Sequence, residues 1–513
     1  LHIRLDRSEI LNNFLSGRAD ENSMRRSDGS TRKIFAFRAL ICLVLLMLAV
    51  PGITRAQLVT AALRGAVTDP QGAAVSDAEV TITDMGTAFT RTVTASSDGV
   101  YNFPDLPLGS YRLRVSHPGF KAAEWTGIVL HVADSVVINV KLEVGPVSEQ
   151  VTVEASAIQV ETTSGDLTGL IQGNQVQQLP LNGRNFMELV TLIPGVAPCE
   201  AFSAQAKGVK GGADLSISGG AVDANLWLVD GAHNNDVGSN RSILVFPSVD
   251  AIDEFKIERN SYSAEFGQSA GGQISIVTKR GSDEFHGNIY YFGRNDKLNT
   301  FNTFTKSGCL AAGTPCEKNK LRRNDFGYTL GGPIKKDKIF FFWSQEWNRM
   351  IEGETTTARV PTVAEKGGDF RDIAACPNAS TFGFPAKGLQ DPANGDAPFT
   401  IPNVIPAVRL SPAAQVVLKA YPDPTNPNPC ASNNFTKNFG VPTEWREENI
   451  RGDINLTKTL TAMMRFTNDS WTLGPPDGGF GWGNNNLGPI GQFWHSPGRV
   501  AVGKLSKTIG PTA

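Results

Sequence analysis

The sequence predicts a mainly β chain built from three successive blocks: a small β-sandwich, a compact α+β block, and a run of longer strands. Three observations carry this. Between residues 58 and 144, seven short alternating stretches are punctuated by turn residues. With 52 glycines and 30 prolines in 513 residues, the glycine share stands above the roughly 7% of average chains, which favours many turns. After Arg280-Gly281-Ser282 the strands change character, with aromatics on both faces at Phe285, Tyr290, Tyr291 and Phe292.

A chain of 513 residues is too long for one ordinary domain and implies about three. Its formal net charge of −2 leaves no basic footprint, so nucleic acid is not an expected partner. No 20–50-residue repeat is evident. The six cysteines, Cys42, Cys199, Cys309, Cys316, Cys376 and Cys430, make no C-x-x-C and fit no zinc spacing. Cys309 and Cys316 flank a short loop and are a candidate local disulfide if the chain is exported. Cys376 with Cys430 is the weaker pair, and Cys199 is left as a free thiol.

The beginning of the chain reads as an address. Residues 1–23 look like upstream translation before Met24. Arg25, Arg26, Arg32, Lys33 and Arg38 then form a basic region, and the apolar run Ala39–Val50 follows. That run is too short to span a bilayer and suits a signal peptide. Pro51-Gly52 breaks it, and Thr54 and Ala56 place small residues for cleavage between Ala56 and Gln57. No other stretch reaches about 18 apolar residues, so a membrane-spanning mature protein would have to be a barrel.

In the first folded block the expected strands are 63–68, 78–83, 90–94, 100–103, 111–115, 128–132 and 136–142. Asp69-Pro70-Gln71-Gly72 and Ser97-Asp98-Gly99 mark turns. Val80 and Ile82, then Tyr111, Leu113 and Val115, show the period of two of half-buried strands. Seven strands in so short a span suit a sandwich. The spacing of Gly65, Val67, Gly72, Val75, Ala78, Val80, Gly99, Tyr101, Phe103, Leu106, Gly109, Tyr111 and Gly119-Phe120 resembles the carboxypeptidase regulatory-like domain. His117 and His131 stand alone, without the His/Glu set of a zinc peptidase, and read as surface or strand histidines.

The second block begins with Glu149–Glu154 after a Gly-Pro linker. Its polar–apolar alternation fits either a strand added to a partner's sheet edge or the first strand of the next domain. Phe186, Leu189, Val190 and Ile193 fall at i, i+3, i+4 and i+7, which predicts a helix over 184–193 with that face in the core, stopped by Pro194-Gly195. Gly219-Gly220 and Asp230-Gly231 mark turns. Asp230, His233 and Asp236 lack calcium-loop spacing. Asp253, Glu254 and Glu258 read as solvated strand faces. Two alternating runs, 255–257 and 273–277, flank Gly267, Gly271 and Gly272, where backbone is expected to pass close to backbone. No hydrolase, zinc-protease or phosphate-loop motif occurs, so the expectation is no catalytic residue, no cofactor, no metal and no enzyme activity.

The order of EQVTVEA, QLPLNGRNFMELVTLIPGV, LWLVDGAHNND and SVDAIDEFKIERNSYSAEFGQSAGGQISIVTKRGSDEFHG resembles the TonB-dependent outer-membrane receptors, in the Oar-like group that carries an N-terminal regulatory-like domain. The resemblance implies that Val151, Thr152 and Val153 are a TonB-box candidate, placed unusually after a folded domain. It implies a plug filling a barrel lumen, with Gly267, Gly271 and Gly272 at plug turns and Gly281 at the hinge to the first barrel strand. It also implies an outer membrane of a Gram-negative cell as location, and as partners TonB with its inner-membrane energising complex, outer-membrane lipid and a nutrient ligand.

The third block offers six strand candidates: 284–294, 323–333, 338–348, 446–458, 460–471 and 499–509. Ile450, Gly452, Ile454 and Leu456 alternate with Arg451, Asp453 and Asn455, as transmembrane strands of about 9–11 residues do. The aromatic cluster 339–343 suits an interfacial girdle. Residues 333–337 read as a short turn, 300–320 and 351–441 as long loops, and 411–420 as a helix in the second. Arg451-Gly452-Asp453 reads as a chance tripeptide. A plugged transporter barrel has about 22 strands, so six are expected to be the N-terminal part of one. The fold expected is therefore mainly β: a seven-stranded regulatory-like sandwich (58–144), a TonB-box-like segment with an α+β plug (146–282), and the first strands of an incomplete transmembrane β-barrel (283–513), after upstream residues and signal (1–56). The function expected is uptake of a large nutrient of glycan or peptide class. The alternative is a surface adhesion or carbohydrate-interaction protein without transport.

Overall fold

The computed structural model describes residues 60–154, 165–199, 213–260, 269–301 and 320–508, apart from 478–491 and a few single positions, with isolated residues between 303 and 318. The expected signal with Ala56 and Gln57, and also Gly267, Cys309 and Cys316, lie outside the described residues. None of the described helices is long and apolar enough to cross a membrane, which says nothing of crossing by strands.

The first block forms two facing sheets. Strands β1 (Ala61–Thr68), β2 (Glu79–Asp84), β3 (Thr90–Thr94), β4 (Val100–Leu106), β5 (Gly109–Ser116), β6 (Ala122–Leu130), β7 (Ser135–Val137), β8 (Val140–Lys141) and β9 (Gln150–Glu154) contribute. One sheet runs β4-β1-β7 with β8 also on β1, and the other runs β3-β2-β5-β6-β9. The inward positions are those with the period of two: Leu63, Val67, Val80, Ile82, Tyr101, Phe103, Tyr111, Leu113 and Val115 are all buried. Tyr111 closes a corner by donating its hydroxyl to the Pro107 carbonyl at 2.6 Å.

The seven strands expected become nine: β9, expected at the start of the next block, extends the second sheet, and two others depart from their expected bounds. β6 starts at Ala122 rather than at 128, because a bulge at Gly127 (φ 77°) lets the strand continue through an otherwise unpromising Ala-Ala-Glu-Trp-Thr stretch. The expected strand 136–142 is split into β7 and β8. There Gly65 lacks the Cβ that would overlap the Ile138 carbonyl, and Asn139 turns its side chain to accept from the Ala66 amide at 3.1 Å.

The second block centres on a sheet of order β10-β15-β16-β13-β14, from β10 (Leu167–Gln172), β13 (Leu226–Val229), β14 (Ala232–His233), β15 (Ile252–Asn260) and β16 (Gln273–Thr278). A pair, β11 (Val196–Pro198) and β12 (Leu215–Ile217), and two short helices, α1 (Gly173–Gln178) and α2 (Met187–Val190), pack against it. The predicted face of Phe186, Leu189, Val190 and Ile193 is buried. The helix itself is shorter than the 184–193 expected. The amides of Leu189, Thr191, Leu192 and Ile193 each reach the carbonyl three residues back, so the segment tightens toward 3₁₀ geometry before Pro194 ends it. Gly271 and Gly272 sit where a Cβ would meet the side chains of Asn225, at Oδ1 2.5 Å away, and of Ile217, 2.6 Å away, so the nearest neighbours there are side chains rather than the backbone expected.

The third block is one antiparallel sheet in chain order: β17 (His286–Asn295), β18 (Leu321–Lys335), β19 (Ile339–Ala358), β22 (Phe435–Thr457), β23 (Leu460–Asp477) and β24 (Gln492–Lys507). These strands are mostly longer than the expected segments. The β19–β22 ladder runs unbroken from Ile339↔Ile454 to Ala358↔Phe435, so the loop expected at 351–441 is confined to 359–434. That loop is itself folded. It holds α3 (Val363–Lys366), α4 (Arg371–Ala374), the pair β20 (Gln390–Asp391) and β21 (Ala397–Pro398), and α5 (Pro412–Ala420). A Cys376–Cys430 disulfide ties it, the pair that spacing had ranked second. The sheet is open: β17 and β24 form its two edges among the described residues.

Candidate functional site: the plug–wall seam

The wall sheet is polar on its covered face and apolar on its open one. Arg323, Asp325, Ser344, Glu346, Asn348, Glu447, Asn449, Arg451, Arg465, Thr467 and Asp469 are buried, whereas Ile289, Tyr291, Leu330, Ile450, Met464, Phe466 and Leu505 are exposed. A soluble sheet would do the reverse, since apolar area is what water drives inward. The observed polarity suits a wall with lipid outside and a polar filling inside. The aromatic cluster 339–343 divides by the same alternation. Phe340 and Phe342 are buried against the filling, so only the alternate positions, among them Phe341 and Trp343, are placed for the girdle expected of all five.

The second block is that filling, and buried ion pairs seat it. At one end the Asp230-Gly231 turn (φ 50° and 82°) joins β13 to β14. The Asp230 carboxylate accepts from the Thr278 amide at 3.0 Å and its hydroxyl at 2.8 Å. Two wall arginines then converge on it: Arg451 Nη1 at 3.2 Å and Arg465 Nε at 2.7 Å. Arg451 also donates to the Thr278 carbonyl at 2.6 Å and pairs with Asp453 at 2.9 Å, while Arg465 donates to the Val229 carbonyl at 3.1 Å. Arginine's fixed fork suits such shared, charge-assisted bonding.

A second cluster lies around Arg184. Its guanidinium pairs with Asp250, lies 3.8 Å from Glu346 of β19, and stacks over Tyr290 and Phe292 of β17 at 4.6 and 4.3 Å. Burial works against the charge on Arg184, yet Glu346 and Asp250 outweigh it and hold the group more firmly protonated than usual. Ser248 donates to Glu346, and the Ser248 amide donates to Glu447 at 2.6 Å. Between the clusters, Asp469 of β23 accepts from the Phe246 amide at 2.6 Å and from Trp445 Nε1 at 2.5 Å. Trp445 and Trp471 of the wall complete the plug's own apolar core. Buried pairs of this kind contribute little net stability but are expensive to break singly, so they fix the position of the second block against the wall.

The sandwich is fastened to the same assembly. Arg280 Nη2 donates to Asp84 and to the Leu108 carbonyl, both at 2.7 Å, and Lys504 of β24 reaches Asp105 at 3.0 Å. Glu254 of β15 accepts from the Val132 amide at 2.6 Å and meets His131 Nδ1 at 2.7 Å, and Lys256 donates to the Ala133 carbonyl at 3.2 Å. The hydrogen bond to Glu254 raises the pKa of His131 above its ordinary value.

Several expectations change here. Glu254 and Glu258, expected on solvated faces, are buried, because β15 is a central strand and the sandwich covers its end. Asp230 is more than a turn residue, while His233 is exposed in β14 and Asp236 caps a local loop by accepting from the Gly238 amide at 2.9 Å. Arg451 and Asp453 lie within a strand, β22, as the pattern predicts, and Arg451 in addition reaches across to Asp230. Gly281 is packed against the β18–β19 hairpin, where a Cβ would overlap the Phe341 carbonyl. Val151, Thr152 and Val153 lie in β9, which pairs parallel with β6 at the edge of the sandwich rather than opening the sheet of the second block. Sequence reasoning missed Arg184, Asp250, Glu346, Arg465 and Asp469. The available signal was charge at the inward positions of otherwise apolar-alternating strands.

Comparison with known proteins follows this division. Residues 62–143 match the carboxypeptidase regulatory-like domain, residues 160–273 the TonB-dependent receptor plug domain, and residues 277–512 an outer membrane β-barrel domain. The TonB-dependent transporter Oar of Myxococcus xanthus is 29% identical over 321 residues, which are 60% of this chain and 28% of that protein. Among solved structures, the siderophore receptor PirA of Acinetobacter baumannii is 13% identical over 60% of this chain and 32% of that one, with a TM-score of 0.33. The outer membrane transporter YddB of Escherichia coli is 11% identical over 60% and 33%, with a TM-score of 0.36. The chain thus spans about a third or less of the length of these relatives.

Proposed function

We propose that this chain, which has the domain order of the Oar-like TonB-dependent outer-membrane receptors, works as the gated part of a non-enzymatic outer-membrane transporter. The observation that supports it best is the polarity of the wall: an apolar open face, and a polar covered face ion-paired at Asp230, Arg451 and Arg465 to a separate folded stopper. Residues 151–153 of β9 serve as the TonB-binding segment, and the inner-membrane complex energises the pull. Residues 280–282 form the hinge between stopper and wall.

The cargo is a large nutrient of glycan or peptide class. The folded loop 359–434 supports this, with a cavity of about 320 Å³ lined by Phe370, Phe382, Phe384 and the Arg359–Glu365 pair. Aromatic faces beside a charged pair suit either a sugar ring or a peptide side chain. The test is uptake of fluorescent oligosaccharide and peptide pools by cells carrying the full-length receptor. Uptake should require an energised inner membrane and vanish when Val151, Thr152 and Val153 are all replaced by proline. Uptake untouched by the prolines would sink the transport reading and favour surface adhesion.

A further inference from the structure

The strand read as the TonB-binding segment is already engaged. β9 pairs parallel with β6 in the register Ala122↔Gln150, Ala123↔Val151, Glu124↔Thr152, Trp125↔Val153 and Thr126↔Glu154, as the edge of the five-stranded sheet. The ladder is led in by the Ala122 amide, which donates to the Glu149 carbonyl at 2.9 Å. An ion pair flanks it, with Lys121 Nζ 3.1 Å from Glu149 and 3.7 Å from Glu143.

What β9 lacks is side-chain burial. Val151 is half-buried, Thr152, Val153 and Glu154 are exposed, and none of the four belongs to the sandwich core. Its neighbour β6 is different, with Ala122, Ala123, Ile128 and Leu130 all buried. β9 thus buries little side-chain surface, and the main-chain bonds of its ladder are ones that another sheet edge can replace. The strands that anchor the sandwich have no such substitute.

The position of β9 in the load path gives this weak hold a purpose. The chain runs from β9 through residues 155–166 to β10, the edge strand of the plug sheet. While β9 sits on β6, a pull on it is shared with the sandwich. The sandwich is tied to β15 by His131–Glu254, to the hinge by Asp84–Arg280 and to the wall by Asp105–Lys504. Only a released β9 passes tension to β10 alone.

We propose that the β6 edge is a resting seat for residues 150–154, from which a periplasmic protein presenting an open sheet edge must displace the strand before it can pull on the plug. The regulatory-like domain then acts as a latch on the coupling segment. This rests on the reading of residues 151–153 as the TonB-binding segment, and the test separates the two.

The full-length receptor, in a Cys199→Ser background, carries Glu124→Cys with Thr152→Cys, a pair of facing positions with side chains outside the sandwich core. A short bis-methanethiosulfonate crosslinker, which releases a sulfinate as each mixed disulfide forms and is removed by reductant, then locks β9 on β6, and the purified C-terminal domain of TonB is the probe. The expected result is at least tenfold weaker binding when crosslinked, with recovery on release. Lys121→Glu, which reverses the flanking ion pair at a surface position, should bind severalfold more tightly than wild type. Equal binding by the crosslinked and open forms overturns the latch while leaving the coupling segment intact. A wild type that does not bind the probe, or binds it equally well with prolines at 151–153, overturns the coupling segment and the latch with it.

Discussion

The sandwich, whose sheets mix antiparallel with a few parallel pairs, and the wall, antiparallel throughout, both alternate side chains along each strand, and they are turned inside out with respect to one another. In the sandwich Leu63, Val67, Ile82 and Leu113 point in and Arg64, Arg114 and Glu79 lie on the outer positions. In the wall Arg465, Thr467 and Asp469 of β23 point in and Met464 and Phe466 point out. Period-two alternation thus reports that a sheet separates two media, and it does not say which side is water. The identity of the inward residues decides: aliphatic inward means a core, charge inward means a filled lumen.

Three measurements strain this contrast, from the largest effect to the smallest. Asp230→Ala leaves Arg451 and Arg465 buried without their shared carboxylate, and should destabilise the plug-filled wall by about 3–5 kcal/mol. Urea unfolding in lipid vesicles reads this, and a loss below about 1 kcal/mol would mean that the seam is not what seats the plug. Next, Ile289 is 89% exposed on β17 and Val100 is 51% exposed on β4. Arginine at Ile289 should cost about 2–4 kcal/mol in a bilayer. Arginine at Val100 should change stability by no more than about 0.5 kcal/mol, as on an ordinary watered surface. Equal costs at the two sites would erase the distinction between lipid and water.

The smallest effect is pH-dependent. His131 faces Glu254, with Asp134 also favouring its charge and Lys256 opposing it, and its pKa is raised when docked. The docked contribution is therefore fully present below the free histidine's pKa of roughly 6.5 and fades as pH climbs through the raised value. The protection factor of the Val132 amide, which donates to Glu254, should fall modestly over that rise, and His131→Gln should remove the fall. A protection that grows with pH would contradict the assignment.

Much of the fold was legible because local pattern and global burial agree. The sandwich strands, the buried face of Phe186, Leu189, Val190 and Ile193, the helix at Pro412–Ala420 and the alternation of Ile450 with Arg451 all follow from spacing. The Gly127 bulge and the early start of β6 were not legible, since that stretch has little strand propensity and is held by its neighbour β5. The seam was half legible. Charges at alternate wall positions are visible, but their partners are not.

By itself, the sequence determined which residues alternate, where the chain turns, and the order of a short-stranded block, an α+β block and a long-stranded block, because each depends on neighbours a few positions away. Only the tertiary structure decided that Asp230 meets an arginine 221 residues along the chain, that Glu254 is buried beneath the sandwich, and that β9 rests on β6. Those outcomes depend on which surfaces meet. A carboxylate on a strand has the same local signature whether water or a guanidinium waits opposite it.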